Sequence, residues 1–181
     1  MKPYNGFSPE QREASMHWMN AAILRREVRA YPGECSQCGQ REGQLSYHTE
    51  DYSWPFGPHV VEHHLCAVCH LLLHARFTRP ARWTAYLALL RDGCRAAPVR
   101  DFRAAWTATT TWTRGGAFAT EDADGVRLAP FLHGLSATPV VHPNAGNVMP
   151  DGAGAELRRI AERLRRRPPA EAPSLFGRSL S

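Results

Sequence analysis

Cys35-Ser-Gln-Cys38 and, after an intervening loop, Cys66-Ala-Val-Cys69-His70-Leu71-Leu72-Leu73-His74 decide how this chain is read. The four cysteines form a Cys-x2-Cys-x27-Cys-x2-Cys pattern, two short claws of the kind that hold tetrahedral zinc in structural sites. Each claw is a tight turn that aims two sulfurs at one point. The ion joins segments that share little hydrophobic core, so its binding energy, about 10 kcal/mol or more at neutral pH, becomes folding energy. Disulfides are the weaker reading, because the stretch from Met1 to Gly6 lacks the apolar core of a secretory signal.

The second claw runs directly into a predicted short helix, Cys69 to Phe77. His70 and His74 stand four residues apart and therefore share one helical face, while Leu71, Leu72 and Leu73 supply its packing sides. Two imidazoles on one face beside a zinc claw suit a second, labile metal or a phosphate. The plainer alternatives are a histidine that replaces a cysteine on the zinc, or a surface histidine near Arg76.

Around these residues the chain resembles a known family. Tyr47-His48-Thr49-Glu50-Asp51-Tyr52-Ser53-Trp54-Pro55, followed by Leu65-Cys66-x2-Cys69-His70-x2-Leu73-His74, is similar to the zinc-ribbon branch of the HNH, or ββα-metal, nucleases. Segments of that branch in bacterial and phage proteins read His-His-Glu-Asp-Tyr-Ser-x-Pro and then Leu-Cys-x2-Cys-His-x2-Leu-His. The likeness covers residues 34–76. It implies a β-hairpin and a following helix that hold one divalent metal against a scissile phosphate. His70 falls at the family's middle position, His74 at its last histidine, and His48 at the first histidine of the pair. Thr49 stands where many members carry their general base, and a hydroxyl cannot serve as a base near neutral pH. The expectation is His48 as base, with His70 and His74 contacting a catalytic Mg²⁺, Mn²⁺ or Ni²⁺. Cys35, Cys38, Cys66 and Cys69 would hold structural Zn²⁺. Glu50 or Asp51 assisting the metal, or His63 or His64 reaching the site, are the alternative sources of chemistry.

Outward from the claws, Ser8-Pro9-Glu10-Gln11 is a helix start with an N-cap, a first-position proline and a capping-box glutamine. A helix is predicted from there to about Ala30, with Trp18, Ala22 and Val28 facing inward. Its arginines, Arg12, Arg25, Arg26 and Arg29, read first as a solvated face and second as phosphate contacts. Gln44 to Tyr47 and Val60 to Leu65 predict two antiparallel strands, joined through Ser53-Trp54-Pro55-Phe56-Gly57-Pro58. Pro80 opens a further helix, lined by Trp83, Leu87 and Leu90 and stopped at Asp92-Gly93. A helical piece spans Val99 to Ala108 and passes into the β-branched run Thr109 to Thr111. Cys94 is expected as a bystander at a helix end.

From Gly115 to Gly154 apolar periodicity disappears, and prolines recur at 130, 139, 143 and 150. This predicts an irregular segment that is partly mobile or ordered only by a partner, in which His133 and His142 have no ligand spacing and no assigned role. Ala155 to Arg167 is a basic amphipathic helix with Leu157, Ile160 and Leu164 on one side, ended by Pro168-Pro169. It could dock on its own domain, a protein partner or nucleic acid.

The chain has 181 residues and a formal charge of +5, from 22 basic against 17 acidic side chains, and every basic one but Lys2 is arginine. Arginine binds phosphate bidentately, which favours nucleic acid, DNA first, as partner. No stretch approaches a membrane span, and the expected location is the cytoplasm. The predicted architecture is α+β: an N-terminal helix (1–33), a zinc-ribbon ββα module (34–78), a helical extension (79–112), an irregular segment (113–154), and a basic helix with tail (155–181). The expected function is an HNH-like endonuclease hydrolysing phosphodiesters in DNA, in a phage or mobile-element setting. The competing expectation is a zinc module that keeps the scaffold, has lost the chemistry at Thr49, and binds nucleic acid or a protein.

Overall fold

A computed structural model describes residues 1–114, 120–121, 127–128, 130–132 and 135–166. Helix α1 (Pro9–Leu24) begins as its sequence dictates. Gln11 N–H donates to Ser8 Oγ at 3.2 Å and Ser8 N–H donates to the Gln11 side chain at 2.9 Å, closing the capping box. The helix stops well short of Ala30. Arg26 turns left-handed at φ 65°, Glu27 N–H bonds Ala22 O at 2.9 Å and Arg26 N–H bonds Ile23 O at 3.0 Å. That is a Schellman stop built on an arginine, and Val28 lies beyond it.

Strands β1 (Leu45–His48) and β2 (His63–Cys66) pair antiparallel, with Leu45 opposite Cys66 and His48 opposite His63. The strands sit later than their predicted starts. Val60 belongs instead to a 3-10 turn, Pro58–Val61, whose first position suits a proline that has no N–H to lose. Helix α2 (Ala67–Ala75) follows β2 with no linker, extended Cys66 serving as its N-cap residue. Hairpin and helix together give a ββα unit in which one end of β1 and one face of α2 are brought together.

Helix α3 (Pro80–Arg91) buries Trp83, Tyr86 and Leu90 against α2. Cys94 is no helix-end bystander; it opens β3 (Cys94–Ala96), because Gly93, at φ 70°, has already reversed the chain. Helix α4 (Phe102–Ala108) starts after the predicted Val99, where the Asp101 carboxylate accepts Ala104 N–H at 2.7 Å. β4 (Trp112–Arg114) then pairs antiparallel with β3. A two-residue pair, β5 (Thr120–Glu121) with β6 (Arg127–Leu128), and helix α5 (Ala153–Arg166) complete the described elements. The expected α+β class is what forms, as helices around small antiparallel sheets.

The main core gathers the four cysteines with Leu45, Leu65, Val68, Leu73, Trp83 and Tyr86. A second cluster, Ala14, Phe56 and Val60 with Trp18, Met149 and Leu157, joins α1, the inter-strand loop and α5. The basic helix α5 therefore docks on its own chain, aided by Arg158 donating to Glu13 at 2.7 Å. The irregular stretch before it is also held by this chain where it is described: His142 N–H bonds Asn5 O at 2.9 Å, Asn144 Nδ2 bonds Asp51 at 2.7 Å, and Trp54 N–H bonds Asn147 O at 3.2 Å. His133, the Pro168-Pro169 stop and the tail lie outside the described residues. Among the described residues no helix is long and apolar enough to cross a membrane.

Candidate metal centres

The two claws converge. Cys35, Cys38, Cys66 and Cys69 are all buried, and their sulfurs lie within 4.8 Å of one another. Cys38 Sγ and Cys66 Sγ are 3.8 Å apart. A tetrahedron with metal–sulfur bonds of about 2.3 Å has edges of about 3.8 Å, so the four thiols fit one ion. The first claw is closed by Gly39 N–H to Cys35 O at 2.9 Å, and it is tied to β2 by Ser36 N–H to His64 O at 2.8 Å. Burial works to raise the Cys35 thiol, but hydrogen bonds from the other three cysteines pull it well below its ordinary value. Burial pushes the Cys69 thiol up.

Neither His70 nor His74 joins that group. They meet His48 from the end of β1 instead. Three nitrogens, His48 Nδ1, His70 Nε2 and His74 Nε2, lie within 4.8 Å of one another. The separations are 3.4 Å from His48 to His70 and 3.0 Å from His70 to His74. Metal–nitrogen bonds of about 2.1 Å place adjacent ligands about 3.0–3.4 Å apart, so this cluster also fits one ion.

The nitrogens facing away from the centre fix the tautomers. His48 Nε2 lies 2.8 Å from Glu50 Oε1, and His70 Nδ1 lies 2.7 Å from Ser46 Oγ. An outer N–H held by a carboxylate or hydroxyl leaves the inner lone pair directed at the metal position. Burial drives all three imidazoles toward the neutral form, and neighbouring positive charge, that of Arg12 in each case, adds to it. His48 lies below its usual value, His70 well below, and His74 is pushed down to about 3.

Glu50 is the hub behind the cluster. Besides His48 it accepts from Tyr4 Oη at 2.7 Å, from Asn5 Nδ2 and from the buried Arg76 guanidinium. Burial acts to raise its carboxyl, yet the His48 hydrogen bond and the Arg76 charge hold it down at about 2. Tyr4 and Asn5 come from the N-terminal turn, 46 and 45 residues away in sequence, and no motif marks them. A carboxylate two residues after a candidate ligand was the available hint for Glu50.

The remaining predicted residues fall elsewhere. Thr49 is buried, its hydroxyl closing a turn with the Asp51 backbone in both directions at 2.9 Å. Asp51 faces Ser53, Asn144 and His142, away from the cluster. His63 lies opposite His48 with its ring stacked on Phe131 at 3.8 Å, while His64 packs edge-on against Tyr47. Alternation along the strands puts His64 and Tyr47 on the opposite face from His48. Arg12, which the sequence places mainly on a solvated face, lines a cavity of about 230 Å³ with His48, His70 and His74. Its guanidinium lies 5.1 Å from the Tyr4 and Tyr52 rings and its buried Nε is unpaired. No protein-family model, curated protein or solved structure matches this chain, so its two metal-competent clusters and their surroundings carry the assignment.

Proposed function

We propose that the chain is a metal-dependent phosphodiesterase acting on DNA, an HNH-like nuclease whose four-cysteine group holds structural zinc. One observation carries this reading: three neutral imidazoles, two of them held from behind by Glu50 and Ser46, converge on one point at the wall of a cavity that also contains Arg12. Three imidazoles with no oxygen ligand suit Ni²⁺ better than Mn²⁺ and fit Mg²⁺ least; a divalent ion bound there would supply Lewis-acid stabilisation of charge on a phosphate oxygen. The arginine-rich composition and the likeness of residues 34–76 to the HNH nucleases favour DNA as the source of that phosphate.

In this reading His48 has a different role from the sequence expectation. Its Nε2 is engaged by Glu50 and its Nδ1 points at the metal position, so no nitrogen remains to take a proton from water. His48 is a third ligand rather than the base. Thr49, locked into its turn, cannot accept that proton either. His63, paired with His48 across the hairpin and stacked on Phe131, lines neither cavity, so no imidazole of this chain is assigned as the base. Arg12 supplies fixed positive charge to a phosphate entering the cavity.

The test is plasmid nicking by zinc-loaded protein with Mg²⁺, Mn²⁺ or Ni²⁺ added. The expected result is metal-dependent nicking that His74→Ala abolishes with zinc content unchanged. No nicking by folded, fully zinc-loaded protein would leave the second reading, a module that binds without cutting, which the locked Thr49 hydroxyl favours.

A further inference from the structure

Beside the histidine cluster, α4 presents two large aromatic side chains to solvent. Phe102 is 40 % exposed and Trp106 is 45 % exposed. They are four residues apart on one helix and so share a face. With His70, His74 and Thr78 they wall a cavity of about 350 Å³, within the size range of small-molecule sites. The Phe102 ring stands edge-on to His70 with centroids 5.3 Å apart. His70, His74 and Phe102 also line the Arg12 cavity, so the two spaces meet at the proposed metal position.

Charge decides the occupant. The Arg79 guanidinium lies over Trp106 at 4.8 Å, and Arg12 lines the adjoining cavity with Phe102 and the histidines. An aromatic-walled cavity flanked by cations and joined to a phosphate-binding centre matches a nucleotide, with the base on the rings and the phosphate at the histidines. Bases in an intact duplex have both faces stacked on neighbours, so only an unpaired base can lie on Phe102 and Trp106.

We propose that Phe102 and Trp106 form a stacking subsite for an unpaired nucleobase beside the scissile phosphate. The substrate is therefore DNA that is single-stranded or has an extruded base. This rests on the phosphodiesterase reading, and its test is separated from cleavage by measuring binding without added divalent metal. Zinc-loaded wild type, Trp106→Ala and Trp106→Phe are titrated against a labelled single-stranded oligonucleotide, the same strand as duplex, and the same strand with abasic positions. Wild type should bind the single strand more tightly than the duplex. Trp106→Ala should weaken single-strand binding about tenfold or more, the size of one base–aromatic stack. It should leave duplex and abasic binding unchanged, and Trp106→Phe should restore most of the loss. Equal losses on all three ligands, or no preference for the single strand, would overturn the subsite. Metal-dependent nicking with a neutral Trp106→Ala would do so while leaving the phosphodiesterase intact, and binding as expected without any nicking would have the opposite meaning.

Discussion

Glu50 carries more of the site than any residue read from the pattern alone. It is mostly buried and still ionised, because His48, Tyr4, Asn5 and Arg76 all donate to it. Glu50→Gln removes the charge opposite Arg76, which is itself 1 % exposed. A buried ion left without its partner costs about 3–5 kcal/mol. The substitution should lower stability by that order in urea denaturation. It should also weaken metal binding at the histidines about 10- to 100-fold, the usual effect of losing a carboxylate behind a ligating imidazole. Unchanged metal affinity in a destabilised variant would confine Glu50 to a structural role. The histidines make a separate prediction about pH. An ordinary imidazole takes up a proton as pH falls through about 6.5 and stops ligating. Here burial first, and neighbouring positive charge second, hold all three below that value, His74 at about 3. The neutral, ligand-competent form persists as pH falls. Affinity for Mn²⁺ or Ni²⁺, followed by titration calorimetry, should therefore stay nearly flat between about pH 7 and 5.5. A tenfold loss per unit would show that the histidines titrate normally.

At the scale of elements, what the sequence made legible was local. Both claws, α2 with its histidine face, and the starts of α1 and α3 follow from residues a few positions apart: a capping box, a first-turn proline, a four-residue spacing. The end of α1 was illegible because its left-handed stop is occupied by Arg26 rather than glycine or asparagine. Arg26→Gly removes the Cβ conflict of that conformation and should stabilise the fold by about 1 kcal/mol in chemical denaturation. Gly43→Ala should do the reverse. Gly43 has φ 77°, and a Cβ there would meet Val99 O at 2.3 Å, where the next residue, Gln44, donates its N–H to the same carbonyl. Backbone on both sides of the clash leaves little room to yield, so a loss of about 2 kcal/mol or more is expected. The Glu50 network and the placement of α4 beside His70 were invisible for another reason. They join segments distant in sequence, and no periodicity within either segment encodes the contact.

For the whole molecule, the four-cysteine group and the histidine cluster are separate groups that both draw on α2 but differ in what depends on them. The cysteines lie inside the main core, among residues of β1, β2, α2 and α3, and the Tyr86 hydroxyl reaches into the first claw to donate to Gln37. The cluster joining α1 to α5 has its own apolar residues and no cysteine. An ion worth about 10 kcal/mol to folding is comparable with the whole stability of a domain, about 5–15 kcal/mol. Chelation of the ion held by the cysteines should therefore collapse the tertiary structure around Trp83 and Tyr86, read as loss of near-ultraviolet circular dichroism, and zinc should restore it. Cys38→Ser should reproduce the collapse at neutral pH. His74→Ala should leave both the spectrum and the zinc content unchanged while removing the second binding event in a Mn²⁺ titration, because the histidines line a cavity rather than fill the core. A chelated protein that still melts cooperatively at its original temperature would mean that the hydrophobic core alone holds the claws together. In that case the four cysteines would be a preformed receptor for the ion, and folding would not depend on it.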